Sequence, residues 1–189
     1  MEERKNKKLK GLIHRISVHP FGVFLAYEEQ LKVYNQLSKN KNLILFVDAT
    51  GSLIKAPNSC SKKPILYYTA VTRNEFLNSI PIASSVQSKH NVEEISLFFT
   101  DILNKAKSIS NVTLYPQIVT VDNSKALIAA AIKVFNGDTV TSYINKAYNF
   151  EVNKSPFQVN TVVHICTAHF VNQLMRHLPK RDKKIKTNC

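Results

Sequence analysis

A run of apolar residues with a carboxylate in its middle constrains the fold more than any other feature of this sequence. The run is "LILFVDATGSLI", residues 43–54, and the carboxylate belongs to Asp48. Continuous apolar runs of this kind are typical of strands inside an α/β sheet, where an ionised side chain is costly unless something pairs with it. The sequence therefore predicts a central strand whose aspartate is either a satisfied structural residue or a functional one.

The first half of the chain predicts three strands in succession. Short or turn-rich connections separate the apolar runs, which favours antiparallel pairing. The predicted strands cover residues 43–54, 64–73 and 79–89. A short helix over residues 27–39 is predicted to precede them, because Leu31, Tyr34 and Leu37 recur at helical spacing.

The second half alternates helices and strands. Its first helix is predicted to begin after Asn91, with Glu94 three residues later in the pattern of a capping box. The later elements are a strand over 117–121, a buried helix over 125–137, a polar-faced helix over 139–150, and a strand passing into a helix over 160–178. In the last helix Val171, Leu174, Met175 and Leu178 form an apolar stripe. The order βββαβα(α)βα predicts an α/β fold with a mixed five-stranded sheet flanked by helices.

A second aspartate, Asp122, closes the predicted strand 117–121. If this strand lies beside the Asp48 strand and parallel to it, the spacing of about 4.8 Å between adjacent strands brings the two aspartates together. Two facing carboxylates repel each other, whereas Mg²⁺ or Mn²⁺ between them makes a site of hard oxygen ligands. The alternatives are structural: Asp122 as the cap of the following helix, and Asp48 as the first residue of an Asx-turn.

The charge balance indicates a polyanionic partner. The 189 residues carry 26 Lys and Arg against 13 Asp and Glu, a formal net charge of +13. Nucleic acid is the most plausible polyanion, and a merely solubilising lysine surface is the alternative. Basic blocks at residues 4–10 and 180–186 are expected to be solvated tails, a nuclear-import signal or phosphate-binding arms. The predicted organisation is a basic N-terminal segment with a short helix (1–40), a core (41–179) and a basic tail (180–189).

Cysteine usage and hydropathy favour an intracellular protein without a membrane span. Cys60, Cys166 and Cys189 are an odd number and make no disulfide framework, and the N-terminus has no apolar signal core. No segment approaches the ~18–20 consecutive apolar residues that cross a bilayer.

Three motifs together resemble the catalytic core of Mutator-like element (MULE) transposases. They are "FVDATGSLIK", "IVTVDNSKALIAAAIKVFNG" and "HICTAHFVNQLMR", and the resemblance covers about residues 20–180. It implies a ribonuclease-H-like fold, DDE/D chemistry on DNA with Mg²⁺ or Mn²⁺, a nuclear location and self-association. By position, Asp48 and Asp122 are the implied catalytic and metal-binding residues, while Cys166 and His169 match the family's [C/D]xxH motif.

The chain also departs from the family pattern. The third carboxylate, a glutamate on a helix well after the CxxH motif, has no candidate, since Glu151 precedes the motif and Asp182 lies in a lysine-rich tail close behind it. An upstream zinc-finger segment is missing as well. We expect either a fragment of a transposase, incomplete at its C-terminus and inactive alone, or a domesticated, non-catalytic protein that keeps the fold and binds DNA or protein.

The sequence allows several interpretations of Cys166 and His169. Two soft ligands do not complete a tetrahedral zinc site, which needs four. A Cys-His nucleophilic pair, as in a thiol hydrolase, lacks a convincing orienting group, and a buried thiol beside a structural histidine is the plain alternative. The polar positions that follow are expected to contact DNA: Gln173, Arg176, Lys180 and Arg181.

Overall fold

Seven strands and five helices make up the described part of the chain, which is residues 12–54, 65–74, 76 and 78–177 of a computed structural model. The strands are β1 (Ile13–Ser17), β2 (Gly22–Leu25), β3 (Ile44–Ile54), β4 (Ile65–Arg73), β5 (Ser79–Gln87), β6 (Ile118–Val121) and β7 (Val162–Ile165). The helices are α1 (Glu28–Lys39), α2 (Val92–Ser110), α3 (Lys125–Asn136), α4 (Val140–Asn153) and α5 (Thr167–His177).

All seven strands belong to one mixed sheet in the order β1-β2-β5-β4-β3-β6-β7. The pairs from β1 through β5 to β3 are antiparallel, whereas β6 is parallel to both β3 and β7. The predicted order βββαβα(α)βα corresponds to β3–β5, α2, β6, α3, α4, β7 and α5. The fold is therefore a mixed α/β fold, as predicted, but its sheet has seven strands instead of five.

The two additional strands lie in the segment that was predicted to hold only a short helix. Helix α1 is confirmed, but β1 and β2 precede it as an antiparallel hairpin, with Ser17 opposite Gly22. With five and four residues, these strands are too short to show a clear alternation in sequence. They are extended because β2 pairs with β5, where Gly22 lies opposite Gln87. The basic blocks 4–10 and 180–186 lie outside the described residues.

The hydrophobic core lies on one face of the sheet, under α1, α2 and α3. Leu45 and Val47 of β3 and Val119 and Val121 of β6 point into it and are almost fully buried. The helices contribute aromatic and aliphatic side chains to the same cluster, among them Tyr34, Phe98, Phe99, Ile102, Leu127 and Phe135. Because side chains alternate along a strand, the neighbouring positions of β3 and β6 face the other side of the sheet.

Local signals in the sequence set the start of α2 and the end of α3. The Asn91 side chain accepts a hydrogen bond from the Glu94 N–H at 3.0 Å and caps α2, as predicted. Helix α3 ends at Gly137, whose φ of 67° is the left-handed conformation that favours glycine.

Helices α4 and α5 expose apolar side chains. Helix α4 was predicted to have a polar face, but Ile144 is 58% and Tyr148 61% exposed. The predicted stripe of α5 is also exposed: Val171, Leu174 and Met175 are each between 44% and 64% accessible. Within the described ranges no helix has both the length and the apolar character needed to cross a membrane.

Candidate active site at the end of the parallel strands

The register of three parallel strands brings the motif residues to one edge of the sheet. Val47 of β3 lies opposite Val121 of β6, and Val121 lies opposite Ile165 of β7. The next residue on each chain segment is a motif residue: Asp48, Asp122 and Cys166. The parallel pairing on which the expected meeting of Asp48 and Asp122 depends is present between β3 and β6.

The position of Asp48 removes the apparent problem of a charge inside a buried strand. Its neighbours Leu45 and Val47 alternate into the core, so Asp48 points to the opposite face and is exposed. Its Oδ1 accepts a hydrogen bond from the Ala49 N–H at 2.8 Å. Strand β3 continues through Ile54, so Asp48 lies within a strand and the Asx-turn interpretation is wrong for this residue. An exposed carboxylate avoids the desolvation cost of burial.

Asp122 occupies the turn between β6 and α3. Its Oδ1 accepts the Ser124 N–H at 3.0 Å, which closes an Asx-turn. The N-cap of α3 is Ser124, whose Oγ accepts the Leu127 N–H at 3.4 Å. The capping role considered for Asp122 therefore falls to Ser124, while Asp122 shapes the turn and is only partly buried.

Cys166 and His169 interact at the start of α5. The Cys166 N–H donates to the Val121 carbonyl at 2.7 Å, and the Cys166 carbonyl accepts the Phe170 N–H, so Cys166 is the residue before the first helical turn. The His169 backbone N–H and then the His169 side chain lower the pKa of the Cys166 thiol. Cys166 is half-buried and His169 is exposed, so the interpretation of a buried thiol beside a structural histidine does not hold.

Residues on or just after all three parallel strands shift the pKa of His169. Its hydrogen bond with Cys166 raises its pKa, and the negative charges of Asp48 and Asp122 raise it further. The two carboxylates thus favour the protonated form of the imidazole, although less than the hydrogen bond with Cys166 does. A protonatable side chain beside two carboxylates, on the open face of a sheet, is an arrangement suited to cations and to phosphate chemistry.

Other predicted site features are not brought together. Among the described residues, no group of three or more His, Cys, Asp and Glu side chains is arranged to hold a metal ion, so neither a zinc site nor a three-ligand site is preformed. Of the residues expected to contact DNA, Gln173 and Arg176 lie in α5, whereas Lys180 and Arg181 lie outside the described residues.

A hydrogen-bonded chain beside Asp122 was not predicted from the sequence. The Tyr68 hydroxyl contacts His90 Nδ1 at 2.7 Å, and His90 Nε2 contacts Ser124 Oγ at 2.8 Å. The sequence contains a weak indication for Ser124 only, because a serine just before an apolar helix is a typical N-cap residue. Tyr68 and His90 carried none, because they lie on β4 and in the β5–α2 loop, 56 and 34 positions before Ser124 in the sequence (124 − 68 and 124 − 90).

No protein-family model matches the sequence, and no curated protein matches it.

Proposed function

We propose that this chain is the ribonuclease-H-like core of a DDE-type DNA transposase of the Mutator-like kind, or a fragment or derivative of one. Its substrate is DNA, its site of action is the nucleus, and it self-associates as transposases do. Asp48 and Asp122 are the proposed catalytic carboxylates. The isolated chain is inactive in strand cleavage because it has no third carboxylate at the matching position.

The observation that carries this proposal is the in-register parallel pairing of β3 with β6. It puts Asp48 and Asp122 side by side where β6 ends, and Cys166 follows on the next strand. The motifs that contain these residues are far apart in the sequence, yet the sheet gathers them at one edge. The ends of neighbouring parallel strands are a common location for sites in open α/β sheets.

Carboxylates are suitable ligands for a hard divalent cation, but two of them are too few to hold it firmly. Each uses only its Oδ1 in the backbone hydrogen bond described above. Carboxylate oxygens are the ligands that Mg²⁺ and Mn²⁺ prefer, and such ions, when bound by Asp48 and Asp122, would supply activation of the attacking oxygen in phosphoryl transfer. Since no third ligand joins them among the described residues, binding to these two alone should be weak.

One alternative is a non-catalytic DNA-binding protein that retains the fold. The missing third ligand favours it, and so does the charge of +13, which attracts a polyanion without requiring catalysis. Exposed Lys89 and Lys125 lie next to His90 and Ser124, so basic side chains are available beside the proposed site.

The experiment is a plasmid assay with matched variants. The 189-residue chain, Asp48→Ala and the control Glu151→Ala, an exposed acidic residue on α4, are incubated with supercoiled DNA and Mg²⁺ or Mn²⁺. We expect DNA binding by all three proteins and little or no nicking by any of them. Paramagnetic broadening by Mn²⁺ should be weak and should disappear in Asp48→Ala only.

Two outcomes would contradict the proposal. Robust nicking by the wild type and Glu151→Ala, lost in Asp48→Ala, would show that two aspartates suffice and would overturn the inactive-fragment assignment. A folded chain that binds neither DNA nor Mn²⁺ would overturn the transposase-core assignment altogether.

A further inference from the structure

A chain of hydrogen bonds links the core to the turn that carries Asp122. It runs from the Tyr68 hydroxyl to His90 Nδ1 (2.7 Å), from His90 Nε2 to Ser124 Oγ (2.8 Å), and from the Ser124 N–H to Asp122 Oδ1 (3.0 Å). The three contacts connect β4, the β5–α2 loop and the β6–α3 turn. We call the first two contacts the His90 bridge.

The Tyr68 end of the bridge is fixed by burial. Tyr68 is 0% exposed, and its ring packs against Phe98 with the centroids 6.1 Å apart. Burial is also the main cause that raises the pKa of Tyr68, so its hydroxyl stays protonated over the whole physiological range. A rigid, neutral hydroxyl in the core is a stable anchor for the imidazole.

The backbone on both sides of His90 is held as well. Two residues earlier, the Ser88 N–H donates to the Phe21 carbonyl at 3.0 Å. On the other side, Asn91 caps α2 through the Glu94 N–H. The imidazole therefore extends from a fixed loop although the residue itself is exposed, and its position does not depend on Ser124 alone.

Imidazole chemistry suits this bridge because both partners are hydroxyl groups. A hydroxyl donates and accepts, so either neutral tautomer of His90, and also its protonated form, completes both contacts. Asparagine places an amide nitrogen near the Nδ1 position only, and glutamine reaches towards the Nε2 position only. Either replacement keeps one contact and loses the connection.

We propose that His90 is a positioning residue, which fixes the Asp122 turn against buried Tyr68 through Ser124 and so holds the Asp122 carboxylate beside Asp48. The consequence for metal binding rests on the proposed function, whereas the fixing of the turn does not. Without the bridge, the turn keeps its Asx hydrogen bond but loses its connection to β4.

The first measurement is amide hydrogen exchange at Ser124 and Leu127 in His90→Asn, His90→Gln and Tyr68→Phe. Losing one hydrogen bond that steadies the turn should speed exchange at Ser124 about five-fold relative to core amides. Thr139→Ala is the matched control, because it removes the cap of α4, an interaction with the Ser142 N–H at 3.2 Å, without touching the bridge. It should leave exchange at Ser124 unchanged.

The second measurement is Mn²⁺ affinity from paramagnetic broadening in the same proteins. We expect the three bridge variants to bind Mn²⁺ several-fold more weakly than wild type, while Thr139→Ala binds it equally well. If the bridge variants bound Mn²⁺ more weakly only because the fold is less stable, Thr139→Ala would show the same loss of affinity.

The possible results test the His90 bridge and the proposed metal-binding function independently of each other. Unchanged exchange at Ser124 in all three variants would overturn the bridge. Faster exchange with equal Mn²⁺ affinity in wild type and variants would overturn the positioning role. Faster exchange in a chain whose wild type binds no Mn²⁺ would support the bridge as a tether of the turn and refute the metal-binding function.

Discussion

Replacing Asp122 by alanine and by asparagine should separate its structural contribution from its charge. Alanine removes the Oδ1 acceptor that holds the Ser124 N–H at 3.0 Å, whereas asparagine retains an oxygen at the same place. One net hydrogen bond contributes about 0.5–1.5 kcal/mol to the free energy of unfolding. For a chain of this size, about 1 kcal/mol lowers the Tm by about 2–4 °C. We expect this loss for Asp122→Ala and a change within about 0.5 kcal/mol for Asp122→Asn.

A second readout reports the charge instead of the hydrogen bond. The Asp122 carboxylate is one of the negative charges that raise the pKa of His169, after the contribution of Cys166. Both variants remove it, so both should lower the pKa of His169 towards its ordinary value. The assays are urea unfolding for stability and an NMR titration of the His169 ring for the pKa.

Stability tests the hydrogen bond that Asp122 accepts in the turn, and the His169 titration tests the position of its charge. If Asp122→Asn is as destabilising as Asp122→Ala, the Asx-turn is not what the side chain contributes. If neither variant changes the His169 titration, the carboxylate does not face the imidazole, and the site as described does not exist in solution.

Four further predictions concern the Cys166 thiol, which is the subject of two, the edge strand β7 and nucleic acid. Alkylation of Cys166, followed by peptide mass spectrometry, should reach half its maximal rate below pH 9. His169→Ala should raise that midpoint only part of the way to the ordinary thiol pKa of 9.0, because the backbone N–H groups remain. An unchanged midpoint in His169→Ala would contradict the contact between the two side chains. Because folding lowers the pKa of the Cys166 thiol, the resulting stability is present at pH values above the ordinary thiol pKa and is lost as the pH falls through the pKa of the folded state. Urea unfolding at several pH values, in wild type and Cys166→Ser, tests this direction. Tyr143→Phe should cost about 1 kcal/mol in urea unfolding, because the Tyr143 hydroxyl accepts the Val163 N–H of edge strand β7 at 2.8 Å, whereas Tyr148→Phe on the same helix should cost almost nothing. DNA affinity should fall steeply between low and physiological salt with little dependence on sequence, and a flat salt response would argue against the lysine charge as its source.

Local patterns in the sequence account for the helices and strands that carry the candidate site. The apolar periods predicted β3 to β7 and all five helices in the right order, because side-chain periodicity is a local property of the chain. Short-range capping chemistry predicted the start of α2 at Asn91 and the end of α3 at Gly137. The motifs also singled out Asp48, Asp122 and Cys166, which the register of the sheet brings to the same level, and His169 on the first turn of α5.

Which face of the sheet is open, and what surrounds the aspartates, depends on contacts between distant parts of the chain. An apolar run does not reveal whether one or both faces of its strand are covered, so the exposure of Asp48 depends on α1, α2 and α3 all packing on the other face. Strands β1 and β2 are too short to carry a pattern and are extended through pairing with β5. His90 meets Tyr68 and Ser124 only after β4, β5 and β6 have taken their places in the sheet. Such contacts join residues distant in the sequence, and a local pattern contains no information about them.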